Sequence, residues 1–150
     1  MDKPNSPKGH TLRQGRFSEP GRIYLITAVT HERSALFTNL QLGRVLVSTL
    51  RNAPATTLCY VIMPDHLHWL MQLEKVSLSS VVQGVKSASA HSINRSLGIH
   101  RPVWQAGFHD HALRRDEDVK LVARYVVANP IRAGLVKRVS DYPLWDAMWL

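Results

Sequence analysis

Residues 56 to 73 read "TTLCYVIMPDHLHWLMQL", two apolar runs of strand length interrupted only by Pro64 and Asp65. Proline fixes its own φ and lacks the N–H that a central strand must donate, so the chain has to reverse at this step. The expectation is a buried strand over 56–63, a tight turn, and a second strand over 66–73, paired as a hairpin. Alternate residues of a strand share a face. In the second strand Leu67, Trp69, Met71 and Leu73 form a core stripe, while His66, His68, Leu70 and Gln72 point the other way. Two imidazoles are therefore held side by side on a rigid element, turned away from that core.

The rest of the chain can be built around this hairpin. "RIYLITAVT" (22–30) is β-branched and aromatic and reads as a strand. Asn39 caps a helix over about 40–52, with Leu42, Val45, Leu46, Thr49 and Leu50 on one face. Ser77 opens a helix to about 97, stopped by Gly98. "GFHDHALR" (107–114) reads as a further strand. "DEDVKLVARYVVAN" (116–129) carries acids in its first turn and reads as a helix that Pro130 ends. The order β-α-β-β-α-β-α predicts an α+β chain. Its first six elements match a ferredoxin-like, split β-α-β antiparallel sheet with helices, and the seventh is a C-terminal helix. Such a superfold hosts many activities, so function must be argued from the site.

The 150 residues suit a basic arm over 1–21 and a single domain over 22–150. No apolar run reaches the roughly 18 residues of a membrane span. The first 20 residues lack the apolar middle of a secretory signal, and the single cysteine, Cys59, excludes an internal disulfide and a cysteine-rich zinc cluster. A reduced, cytoplasmic protein without membrane contact is expected. The formal net charge of +8 suits a polyanionic partner, most simply nucleic acid. Candidates for phosphate contacts are Arg13, Arg16 and Arg22 on or beside the arm, Lys86 on the second helix, and Arg114 and Arg115 after the last strand. The competing reading of each is a solvated surface charge.

Eight histidines in 150 positions make an occasional His-x-His pair expected by accident, and there are two, His66/His68 and His109/His111. Two nitrogen ligands on one strand can bind a divalent ion and leave positions open for a phosphate oxygen. They can also be polar residues on the wet side of a strand, and a zinc site drawing on all four histidines is a third option. The last helix carries Tyr125 and, four residues on, Asn129, which share a helical face. If that face meets the histidine strand, Asn129 offers an oxygen ligand and Tyr125 a phenol able to attack a phosphodiester. Otherwise the tyrosine packs at a core edge.

The blocks "GRIYLIT", "YVIMPDHLHWLMQL" and "VWQAGFHDHALRRDEDVKLVARYVVANPIRAGLV" together resemble the REP-associated tyrosine transposases, relatives of the single-strand insertion-sequence transposases within the HUH (His-hydrophobic-His) endonucleases. The resemblance spans about residues 21 to 146, with every block in order. It implies a bacterial, nucleoid-associated transposase that cuts single-stranded DNA beside hairpin-forming palindromic repeats and forms a 5′-phosphotyrosine. By position, His66 and His68 match the metal pair for Mg²⁺ or Mn²⁺, Tyr125 the nucleophile and Asn129 the third ligand. Asp65 fits the polar or acidic position before the pair, and His111 matches a histidine placed near the site. The partner implied is single-stranded DNA with a REP-like hairpin, bound by a monomer or a homodimer. A non-catalytic nucleic-acid-binding module on the same fold is the alternative.

Overall fold

The computed structural model describes residues 18–149, so Arg13 and Arg16 lie outside the described residues. Strand β1 (Ile23–Val29) leads to helix α1 (Leu40–Arg51), strands β2 (Ala55–Met63) and β3 (His66–Leu73), and helix α2 (Leu78–Leu97). Strand β4 (His109–Ala112), helix α3 (Val119–Val127), a short helix α4 (Asn129–Arg132) and strand β5 (Trp145–Ala147) complete the order. The sheet runs β4-β1-β3-β2-β5, with every neighbouring pair antiparallel. Strands β1 and β2, joined through α1, flank β3, which is the split β-α-β arrangement that the sequence predicts.

The start and stop signals act as expected. The Asn39 side chain accepts from the Gln41 and Leu42 amides, Ser77 accepts from Ser80, and Gly98 closes α2 in the left-handed region at φ 67°. Two elements differ. The sequence gives no sign of β5, whose three residues pair with Cys59, Tyr60 and Val61. It is held from outside the sheet: Leu144 packs where Gly43 has no Cβ, and Tyr142 Oη donates to the Ile62 carbonyl at 2.5 Å.

The second difference concerns the last helix, expected over 116–129. Asp118 caps it from outside by accepting from the Leu121 amide, so the acidic turn precedes the helix rather than opening it. Its end comes at Val127, before Asn129. Pro130 has no N–H to give the Val126 carbonyl and its ring crowds that oxygen. Asn129 Nδ2 donates to the Val126 carbonyl instead, at 2.9 Å, and the chain restarts as α4 with Pro130 in its first turn. Tyr125 and Asn129 are therefore not one turn apart on a continuous helix.

The sheet has two unlike faces. On one, Tyr24, Ile26, Tyr60, Ile62, Leu67, Trp69 and Met71 pack against Leu42, Leu46 and Leu50 of α1 and Val81, Val82, Val85 and Ile93 of α2. On the other, Cys59, Val61, Met63 and Leu70 meet Ala123 and Val126 of α3. Leu70, expected beside the histidines on a face turned from the core, is fully buried in this second, smaller core. The second helix is fixed to the loop before β4 by Lys86, which is buried and donates through Nζ to the carbonyls of Gln105 (2.7 Å) and Gly107 (2.6 Å). That placement corrects its reading as a phosphate contact: the ammonium is spent on backbone carbonyls inside the fold. No helix among the described residues is long and apolar enough to cross a membrane.

Candidate active site

The strand register decides which polar side chains meet. His66 lies opposite Val29 and Met63, and His68 opposite Thr27 and Val61, all on the face that α3 covers. The two imidazole rings stand 4.8 Å apart, edge to face at 86°. His66 Nδ1 donates to Asp65 Oδ1 at 2.7 Å, and His68 Nδ1 is 3.0 Å from the Thr27 hydroxyl. Each ring thus has its Nδ1 engaged by the protein, which restrains its orientation and keeps Nε2 for another partner.

The partners of the pair are themselves held. Asp65 Oδ2 accepts from Arg33 Nε at 3.1 Å, and the Asp65 carbonyl accepts from both the amide and the hydroxyl of Thr30. Arg33 reaches the carboxylate from a turn in which Glu32 and Arg33 both have positive φ, 54° and 50°. Non-glycine residues in that region carry strain of about 1–3 kcal/mol each, kept only where surrounding contacts hold them. Burial acts to raise Asp65, but the hydrogen bond and charge of His66 and the nearby Arg33 outweigh it and carry the carboxyl below its ordinary value. The opposite holds for His68. Burial, then the charges of His66 and Arg132, lower it from 6.5 to about 4, so at neutral pH it is an uncharged base with a free lone pair. Neutral imidazole is the metal-binding form.

On β4 it is His109 that lies opposite Thr27, in the row of His68, whereas His111 lies opposite Leu25, one row further along. His111 Nε2 is 3.2 Å from Glu117 Oε1. The Arg114 amide holds that carboxylate below its usual range, against an opposing effect of burial and with help from His111. By register His109 is thus nearer the row of His68 than His111 is. Among the described residues no three His, Cys, Asp or Glu side chains gather as a metal cluster, so a four-histidine zinc site is not formed. A cation at His66 and His68 would need its remaining ligands from an amide, a phosphate or water. The Cys59 thiol is no competitor, since burial pushes it up to about 12.

Helix α3 brings the phenol to the same side of the sheet. Ala123 and Val126 face the small core, while Tyr125 points outward at 65% exposure. The Arg132 guanidinium lies 3.7 Å over the Tyr125 ring centre, and its charge reaches His68. Asn129, half-buried beside Pro130, spends Nδ2 on the Val126 carbonyl, so Oδ1 is the atom it could offer a cation. A phenol, an amide oxygen and two imidazoles can together bind a divalent cation and a phosphodiester.

Three of the arginines singled out in the sequence converge elsewhere. Arg22, Arg114 and Arg115, with Glu19 and Glu117, line a cleft of about 460 Å³ where β1 begins and β4 ends. Arg22 also pairs with Glu19 at 2.8 Å and Arg114 with Asp116 at 3.2 Å. Six residue steps along β1 separate Ile23 at the cleft from Val29 at the histidines, about 20 Å of strand. Thr27, Arg33 and Arg132 were not legible in the sequence. Thr27 needed the cross-strand register, and Arg33 and Arg132 needed the turns that aim them.

With this geometry in place, comparison with known proteins is informative. The family described as "Transposase IS200 like" matches residues 21–129. The REP-associated tyrosine transposase of Escherichia coli (strain K12) is 28% identical over 127 residues, covering 82% of this chain and 74% of that protein. A relative from Haemophilus influenzae is 26% identical over 137 residues. A solved REP-associated tyrosine transposase bound to a REP hairpin superposes with a TM-score of 0.71 at 26% identity, covering 97% of this chain and 82% of that one. A crystal structure from Deinococcus radiodurans, 16% identical with a TM-score of 0.54, shares the fold.

Proposed function

The chain belongs to the IS200-like transposase family, and from that premise we propose that it cuts and rejoins single-stranded DNA beside a hairpin through a tyrosine–DNA intermediate. The observation that carries this reading is the common face. His66, His68 and the helix bearing Tyr125 lie on one side of the sheet, and Arg132 touches the phenol ring while its charge acts on His68.

The donor set fits a divalent cation such as Mg²⁺ or Mn²⁺. His66 and His68 present their Nε2 edges, His68 is uncharged, and Asn129 Oδ1 is an oxygen donor. When bound, such an ion supplies Lewis-acid stabilisation of charge on the scissile phosphate. The chain's own residues do the rest. Asp65 and Thr27 each engage one Nδ1 and so hold the two imidazoles in one orientation. Tyr125 Oη gives its proton to solvent and forms a bond to phosphorus. The bond from phosphorus to the 3′-oxygen breaks, and that oxygen takes up a proton to become a free 3′-hydroxyl. The 5′-phosphate stays on the tyrosine, so attack by another 3′-hydroxyl restores a phosphodiester without an energy source.

Because a relative with this fold is bound to a REP hairpin, the substrate we infer is a hairpin with a single-stranded flank. The cleft of Arg22, Arg114 and Arg115 is available to the flank. The test is a labelled hairpin oligonucleotide incubated with the protein and Mn²⁺ or Mg²⁺, then run on a denaturing gel. A covalent adduct that disappears in Tyr125→Phe, with hairpin affinity retained, supports the reading. Binding without any adduct in the wild type leaves only a nucleic-acid-binding module.

A further inference from the structure

We propose that Arg132 is a catalytic residue of the cleavage site: it holds the Tyr125 ring before DNA arrives and then receives the scissile phosphate. The inference rests on the reading of Tyr125 as nucleophile and adds to it a positively charged group supplied by the protein. Arg22, Arg33, Arg114 and Arg138 each hold a carboxylate. Among the described residues, the partner of Arg132 is instead an aromatic face, 3.7 Å from its guanidinium carbon.

The backbone is built to make this contact. On an uninterrupted helix, residues seven apart are separated by about 10 Å along the axis. Here the helix stops at Val127, Asn129 and Pro130 turn the chain, and the four-residue α4 re-aims Arg132 at the ring. A cation over an exposed ring is a weak interaction, whereas guanidinium donors to a phosphate are charge-assisted and paired. The ring therefore holds Arg132 without trapping it. An anion that enters between Tyr125 and His68 meets an arginine already aligned. The positive charge is then placed where negative charge gathers as the phenol oxygen bonds to phosphorus.

The experiment is single-turnover adduct formation on the hairpin oligonucleotide with Mn²⁺, run for wild type, Arg132→Gln and Arg132→Lys beside Tyr125→Phe. Affinity is measured separately with the uncut hairpin. Arg132→Gln should slow the adduct step by about 100-fold, the loss typical of removing one donor to a developing charge. Its affinity should stay within about threefold of wild type, since the general phosphate contacts elsewhere are untouched. Arg132→Lys should recover part of the rate, because it restores the charge without the planar fork. A full rate in Arg132→Gln overturns the proposal, as does a rate loss matched by an equal loss of affinity. Arg132→Lys being no faster than Arg132→Gln also overturns it. An adduct formed by wild type but unaffected at Arg132 defeats this inference alone; no adduct in wild type defeats the nucleophile reading with it.

Discussion

The two faces of the sheet divide labour. On the α1/α2 face, Leu46, Leu50, Ile62, Trp69 and Met71 are at most 1% exposed and fill a continuous core. Full burial of each such side chain contributes about 1.5–3 kcal/mol. On the α3 face the core is smaller, its helix residues are alanine and valine, and its margin holds His66, His68, Thr27 and the exposed Tyr125. Polar groups on this side are matched pairwise, Asp65 with His66 and Arg33, Thr27 with His68, Arg132 with Tyr125. The difference teaches that the hairpin is a platform: one side of β3 secures the strand, and the other can then carry imidazoles, a strained turn and an exposed phenol.

Substitutions chosen from each face should break that division if it is wrong. The largest effect is expected from Leu46→Ala, which opens a cavity in the large core and costs about 2–5 kcal/mol in urea unfolding. Its folded fraction should still form adduct at the wild-type rate. The pH response of the histidine face comes next. His68 has a folded pKa of about 4 against an ordinary 6.5, so between these values the unfolded chain takes up a proton that the native state refuses. Stability is full above about pH 6.5 and falls as pH drops toward 4, by at most about 3 kcal/mol. Comparing urea midpoints at pH 7 and pH 4.5 for wild type and His68→Gln checks this; an equal acid loss in both would contradict it.

Smaller effects sharpen the contrast. Thr27→Val keeps the shape of the strand and removes the hydroxyl beside His68. Calorimetric Mn²⁺ affinity should fall by about 10–100-fold with little change in melting temperature. Unchanged affinity would detach Thr27 from the site. The smallest change concerns salt. Arg115→Gln should reduce the log–log salt slope of single-strand binding by about 0.7, the value of one phosphate contact. Lys86→Met should leave that slope alone, because the Lys86 ammonium is bonded to carbonyls inside the fold.

Much of the fold was legible because its signals are local. Asn39, Ser77 and Gly98 act within one turn of where they stand, and Pro64-Asp65 forces a reversal whatever surrounds it. Strand β5 was not legible, since three residues without alternation become a strand only when Leu144 and Tyr142 dock. The break at Val127 was half legible. Pro130 marks a stop, but the exchange in which Asn129 takes the Val126 carbonyl is a side-chain event that periodicity does not report. At the candidate site, the alternation of β3 gave the facing of His66 and His68 without further information. His111 was favoured over His109 by motif, yet the register sets His109 in the row of Thr27 and His68. Lys86 read as a surface cation because composition cannot tell a solvated ammonium from one buried against carbonyls.

The central claim is that the imidazole pair and Tyr125 work on one phosphate. Peptide mapping by mass spectrometry of the protein–DNA adduct, after nuclease trimming, tests it most directly. The account predicts a nucleotide mass on the peptide that contains Tyr125, lost on chelation and lost in the His66→Ala/His68→Ala double variant. An adduct on a different residue, or one that persists at full yield without both imidazoles, would contradict it.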